Sequence, residues 1–405
     1  MKKALKLFLV FAVVATAFSS TALADVSIGA WGRALWSPVG GGGVDGEGDT
    51  AMIPQYGTSW GDQARVGFTV KGDSDNVGFQ ADLRADTGVG NSLDNNDQQF
   101  IWVKPVEQVK FFVGPSIFYD KYRGNAVFGM WDWMRTGNTV GEDEVFRRVS
   151  INEGAVIEIT PIPVMSIFAG LGDTNPEWAG PAWGTNSTKG EAGGRLTTGE
   201  LVAYGQYGAG FDFGMGVARI QYTGLTGSDM TVATDGTEVA LEDVTDDDDS
   251  EINIAVKLDR LVLNLYVDLG AFIYGDTDLN KNKFVLYAKY NMGTIALHAL
   301  AKITLDVMDF EGEEGMAMNF GLGADMDAAG LTFSGDFRYS DERDAGQKDG
   351  AMSFLLGVKK GFSNGLIGVA FQGTTSNFQT APAPKEEGED DAMVWALPIK
   401  AEYWF

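Results

Sequence analysis

Cysteine is absent and histidine occurs once, as His298, in a chain of 405 residues. The first absence excludes disulfide scaffolds, cysteine-based zinc centres, thiol nucleophiles and a lipidated N-terminal cysteine. The second leaves Ser-His-Asp triads and multi-histidine metal sites almost nothing to draw on. Positive charge is also scarce. Lys and Arg number 30 against 56 Asp and Glu, a net charge of −26 that repels nucleic-acid phosphates. Beyond residue 24 no stretch reaches 18 consecutive apolar residues, and mean hydropathy is −0.07, which excludes transmembrane helices there. The glycine run Gly40–Gly43 lacks the strand–loop–helix setting and the Lys-Ser/Thr of a phosphate cradle. Carboxylates are too abundant for any pair to be singled out for acid–base work. These absences predict a non-enzyme without a cofactor.

What is present begins with a targeting segment. Lys2, Lys3 and Lys6 precede an apolar run from Leu7 to Phe18, and Ala22-Leu23-Ala24 has the small-x-small form of a cleavage site. Residues 1–24 are expected to be a signal peptide cleaved near Ala24, leaving 25–405 as one domain. Its removal takes three lysines and no acid, so the net charge moves from −26 to −29. An exported chain without helical spans is either soluble outside the cytoplasm or a membrane β-barrel.

Alternation favours the barrel. In Val77–Asp86 the residues Val77, Phe79, Ala81, Leu83 and Ala85 alternate with Gly78, Gln80, Asp82, Arg84 and Asp86. The same period of two runs through Ala64–Lys71, Glu251–Leu258 and Leu331–Ser340. A β-sandwich with one wet face alternates too, but here the polar face is rich in glycine and charge and the apolar face in aromatics. Eight short connections, among them Asp73–Asn76, Gly208–Gly210, Asn291–Gly293 and Asp327–Gly330, alternate with nine long ones, among them Pro115–Glu153 and Thr223–Ser250. The predicted fold class is therefore all-β: a transmembrane antiparallel β-barrel of about 18 strands, with 16 as the alternative. Short periplasmic turns and long extracellular loops place it in the outer membrane, surrounded by lipid. Six tryptophans, Trp31, Trp36, Trp60, Trp102, Trp395 and Trp404, are expected at strand ends as interfacial girdles.

The last strand is the most specific feature. Trp395, Leu397, Ile399, Ala401, Tyr403 and Phe405 occupy alternate positions to the final residue, with Pro398 as an interruption expected to weaken pairing. This ending resembles the signal by which barrel-assembly machinery recognises outer-membrane proteins, which makes that machinery an expected partner through the Phe405 strand. Gly29-Ala30-Trp31-Gly32-Arg33-Ala34, Trp102-Val103-Lys104-Pro105, Lys110, Gly114 and Asp120 to Arg123-Gly124 resemble spirochaete-type porin-like outer-membrane β-barrel proteins. The resemblance implies an outer-membrane barrel and supplies no substrate.

A barrel of 16 or more strands leaves an aqueous channel that something must narrow. The connection 115–153 is the longest, and it carries Phe128, Met130, Trp131, Trp133 and Met134, which are too apolar for a freely solvated loop. By analogy with porins it would fold inward as the constriction. Its charges are Asp120, Lys121, Arg123, Arg135, Glu142, Asp143, Glu144, Arg147 and Arg148, set against wall candidates Arg33, Arg65, Arg84, Lys104 and Lys110. Opposed rows of this kind set ion preference. Acid crowds three other connections, and Asp246, Asp247, Asp248 and Asp249 are candidates for a loosely held Ca²⁺, without EF-hand spacing. An acidic mouth tips the expectation toward cations. The expected function is a porin-like channel for passive diffusion of ions and small hydrophilic solutes, in a homotrimer if it follows frequent porin practice. The alternative is a surface adhesin or antigen that uses the barrel as a loop scaffold.

Overall fold

The computed structural model describes residues 25–41, 55–57, 65–86, 93–94, 98–124, 145–173, 205–224, 250–274, 282–308, 314–340, 351–375 and 393–405. The segments Arg135–Glu144 and Asp246–Asp249, and the leader 1–24, lie outside them. The described residues form a closed antiparallel barrel of 18 wall strands and no helix. In chain order these are β1 (Asp25–Ser37), β2 (Arg65–Asp73), β3 (Val77–Asp86), β4 (Gln99–Val106), β5 (Val109–Tyr119) and β6 (Val149–Ile162). Next come β7 (Met165–Asp173), β8 (Gln206–Asp212), β9 (Gly216–Thr223), β10 (Glu251–Leu258), β11 (Leu265–Tyr274) and β12 (Lys283–Met292). The circuit ends with β13 (Ile295–Met308), β14 (Glu314–Ala328), β15 (Leu331–Ser340), β16 (Ala351–Phe362), β17 (Gly365–Thr374) and β18, which runs as Val394–Ala396 and Ile399–Trp404. Gly40–Gly41, Gln55–Gly57 and Leu93–Asp94 add short extra rungs at the long-connection end.

Closure comes from β1 pairing with both β2 and β18. Trp31 to Trp36 face Trp404 to Ile399 in continuous register. The backbone of Phe405 donates to Ala30 O at 2.7 Å and accepts from Ala30 N at 3.2 Å, so the seam is bonded to the last residue. On the inner side of the seam Glu402 meets Lys400 at 2.9 Å and Arg33 at 3.9 Å. Closure leaves no unpaired edge, which is the only way a sheet can satisfy its backbone away from water. The interruption at Pro398 divides β18, because proline has no N–H to give to the ladder. Its carbonyl still accepts from Ala370 N at 3.0 Å.

Period-two alternation sorts every strand into two faces. Val26, Ile28, Phe68, Leu322 and Leu356 are exposed on the outside, the last at 65%. Gln221, Asn253, Asp268 and Gln372 are wholly buried on the inside. A surface that is apolar without and polar within is the inverse of a water-soluble domain.

Tight turns join the strands at one end. Ala329 and Gly330 both have positive φ, 52° and 75°, which matches a two-residue hairpin turn whose twist suits the flanking strands. The expected turn at Gly208–Gly210 is not one. Those residues lie inside β8, and the chain reverses at Phe213–Met215, where Gly214 has φ 87°. The two glycines serve another purpose: a Cβ at Gly208 would meet the Phe168 ring at 2.3 Å, and one at Gly210 the Tyr122 ring at 2.4 Å. They make room for interior rings. Two of the six girdle tryptophans are also interior. Trp31 covers Gly67, and Trp102 covers Gly78 while its indole N–H donates to Asp73.

Candidate functional site: the barrel interior

The interior is shaped by a hairpin that leaves the wall. β5 and β6 pair from Val109↔Ile159 to Tyr119↔Val149, with Gly114 opposite Gly154. A Cβ at Gly114 would lie 2.1 Å from Gln99 O, and one at Gly154 2.1 Å from Leu171 O. Only glycine permits backbones to approach this closely. Beyond this pair the hairpin turns back across the inner face. The rings of Phe112 and Tyr119 are 6.0 Å apart, although seven residues of unbent strand span about 23 Å. Tyr119 reaches Ser166 with its hydroxyl at 3.1 Å and packs its ring at a tilt against Phe168, centroids 5.0 Å apart, both on β7. Ile117, Tyr119, Val149, Ile151, Val156 and Phe168 form the resulting buried apolar layer.

Further along, the hairpin reaches the inner faces of β8 and β10. The Gln206 side chain on β8 accepts from Ser150 N at 3.3 Å and donates to Ser150 O at 2.9 Å. Asn253 on β10 accepts from Arg147 N at 3.0 Å and donates to Val145 O at 3.1 Å. Each amide thus extends the hairpin's free edge as a peptide group would. Val145 and Phe146 are wholly buried against Ala255, Phe272, Val285, Tyr287 and Leu300, which belong to β10 through β13. The lumen is therefore crossed from β7 to β13.

The charged candidates separate into groups. Asp120 accepts from both Arg123 and Arg148 at 3.3 Å. Arg123 is buried and also donates to Phe146 O. Lys121 bonds Glu158 and Thr160 on β6, and Arg147 meets Glu251 at 3.6 Å. Lys110 lies over the Trp102 ring at 4.0 Å and the Phe112 ring at 4.8 Å. Arg33 belongs to the closure seam rather than to the hairpin, and Lys104 is half-buried on β4. The side chains of Arg65 and Arg84 lie outside the described residues. Among the described residues no group of three or more metal-ligating side chains occurs.

Sequence reasoning missed Gln206, Arg219, Asn253, Glu158 and Glu251. All occupy inward positions of alternating strands. A long amide or charge on the polar face of a strand was the available signal, but nothing local marks which of them meets the hairpin. A second interior network joins Tyr287 to His298 Nδ1 at 3.0 Å, His298 Nε2 to Asp325 at 2.9 Å, and Ser334 to Asp325 at 2.6 Å. His298 is thus a buried polar wall residue held from both ring nitrogens.

No family model matches the chain, and no curated protein does. Among solved structures it is similar to Pseudomonas aeruginosa OccD3 (OpdP), with 13% identity and a TM-score of 0.51 over 95% of this chain and 92% of that one. It is also similar to the anion-selective porin from Comamonas acidovorans, at 12% identity and TM-score 0.45 over 94% and 100%. Salmonella typhi OmpF in complex with daunomycin matches at 12% identity and TM-score 0.44 over 94% and 97%. The similarity to OccD3 is one of fold.

Proposed function

We propose that the chain is an outer-membrane channel for passive diffusion of ions and small hydrophilic solutes, with the inward hairpin as its constriction. One observation carries the reading. The backbone edge of residues 145–150 is hydrogen-bonded by Asn253 on β10 and Gln206 on β8, on the inner wall of a cylinder whose outer face is apolar. A wide barrel narrowed by its own polar hairpin conducts selectively; a scaffold for surface loops has no use for one.

Orientation follows from the connections. The short turns, including Pro163-Val164 and Ala329-Gly330, belong on the periplasmic side and the long connections outside. A leader over 1–24, cleavage near Ala24 and assembly through the Phe405 strand fit this location, as does the motif resemblance to spirochaete-type porin-like barrels. The fold similarity to OccD3 supports a porin-like role. The chain has no chemistry in this reading beyond placing charge along a wet path.

The test is electrical. Residues 25–405, refolded in detergent until gel mobility becomes heat-modifiable, should insert into planar bilayers in discrete conductance steps. Folded protein that never conducts removes the channel reading. Loop-exchanged variants that lose surface binding while conducting normally would favour the adhesin reading.

A further inference from the structure

We propose that the turn between β10 and β11 is a membrane foot, with Leu261, Val262 and Leu263 seated among the lipid acyl chains of the leaflet at the short-turn end. The inference rests on the outer-membrane reading above. The three side chains are 47%, 52% and 84% exposed, and no large apolar residue among those described is more exposed than Leu263. Three consecutive aliphatics held in water are unfavourable unless something covers them. Other short connections at this end of the barrel carry Ser74-Asp75-Asn76, Glu107-Gln108, Gly293-Thr294 and Ser363-Asn364 instead.

The turn presents these residues rather than burying them. Arg260 N donates to Met215 O at 3.1 Å, and Asn264 O accepts from Asn291 N at 2.9 Å, so both roots of the tip still belong to the sheet. Between them Leu265 N donates to Val262 O at 3.2 Å, with Asn264 at φ 67°. The Arg260 side chain donates to Asp259 at 3.1 Å, to Asp212 at 2.9 Å and to Gly216 O at 3.1 Å. Lys257 meets Asp259 at 3.3 Å. These two bases and two acids cancel, so the roots of the tip bring no unpaired charge toward lipid.

The surroundings of the tip identify its occupant. Lys257 shares the inward face with Val217 and Asp268. The outward positions leading to the tip are Ile254, Val256 and Leu258 on β10 and Leu269, Val267 and Leu265 on β11. Met215 and Met292, at the neighbouring strand ends, are 50% and 46% exposed. The apolar outer wall therefore continues to the tip. The wall is also short here: β8, β9 and β10 contain 7, 8 and 8 residues, against 14 and 15 in β13 and β14. A tilted spanning strand needs about 9–11 residues. Hydrocarbon matched to the longer strands overruns the ends of these short ones, and three aliphatics beyond β10 suit that depth.

The chain has no cysteine, so Leu263→Cys gives one thiol for a bimane label. Labelled protein is folded into phosphatidylcholine vesicles with or without bromine on the acyl chains. Bromine quenching at Leu263→Cys should match that at Ile254→Cys on the outer wall. It should exceed that at Glu107→Cys, in a polar short turn, several-fold, and iodide added to the water should quench in the reverse order. Leu261→Cys repeats the measurement one turn position away. If Ile254→Cys is quenched by bromine while Leu263→Cys and Leu261→Cys respond no more than Glu107→Cys, the foot is overturned and the membrane reading stands; a tip that serves a periplasmic protein gives this result. If none is quenched in folded protein, the membrane reading falls with it.

Discussion

Asn253→Ala should loosen the hairpin without unfolding the barrel. The Asn253 amide donates to Val145 O and to Ala271 O and accepts from Arg147 N. Truncation leaves Val145 C=O and Arg147 N–H without their partner, and Val145 is wholly buried. Each orphaned buried group costs about 1–3 kcal/mol. Water entering the void left by the lost amide would relieve part of that, which leaves roughly 2–3 kcal/mol against the docked state. At about 1.4 kcal/mol per decade, the undocked population should rise roughly 30- to 150-fold. The β10 ladder to β9 and β11 is backbone-made and remains. Single-channel recordings should then show frequent excursions to a second conductance level, with heat-modifiable mobility retained. Asn253→Asp keeps the acceptor for Arg147 N but loses the donor to Val145 O, so its traces should fall between wild type and Asn253→Ala. Folded Asn253→Ala channels with traces indistinguishable from wild type would refute this account of docking.

Other perturbations probe other parts of the fold. Gly67→Val places a side chain where a Cβ alone would lie 2.4 Å from the Trp31 ring, so overpacking should destabilise the folded form by about 1–3 kcal/mol, read from the urea midpoint of tryptophan fluorescence. Ala329→Asn relieves a left-handed alanine at a turn that favours Asn-Gly, and should stabilise by roughly 1 kcal/mol in the same assay. Leu322→Arg puts a charge on the outer face and should cost about 2–4 kcal/mol of folding free energy in lipid if the site lies near the midplane, whereas Ala296→Lys on the inner face should be tolerated; equal penalties would contradict the assignment of faces. At the β10–β11 turn, partial burial opposes ionisation of Asp259, but hydrogen bonds and charge from Lys257 and Arg260 outweigh it and hold the carboxyl below its ordinary value. Its folded pKa is depressed, so its small contribution is present above the unfolded pKa and lost as pH falls through the folded one. Asp259→Asn should therefore flatten the acid limb of stability against pH.

The wall of this barrel is written in local chemistry, and the candidate interior is not. Val77–Asp86, Glu251–Leu258 and Leu331–Ser340 alternate visibly and are β3, β10 and β15 with those same bounds. An apolar side chain at every second position is a property of the strand itself. The hinge at Gly114 and Gly154 looks like any pair of strand glycines, because what requires them is the approach of Gln99 and Leu171 from other strands. Gly208 and Gly210 resemble a turn for the same reason: the rings that need their space, Phe168 and Tyr122, come from residues far along the chain. Asn253 meets residues more than a hundred positions away, and no spacing rule reaches that far. Trp31 and Trp102 misled in the opposite direction, since an aromatic near a strand end suits a girdle, yet each covers an inward glycine.

The central claim is that the hairpin lies in the conducting path. The chain has no cysteine, so Asp120→Cys introduces a single thiol at a half-exposed hairpin position. A charged methanethiosulfonate reagent added to open Asp120→Cys channels should lower the conductance of each in one irreversible step, while Ile101→Cys on the outer face should not respond. Labelled Asp120→Cys channels that keep their full conductance would contradict the account.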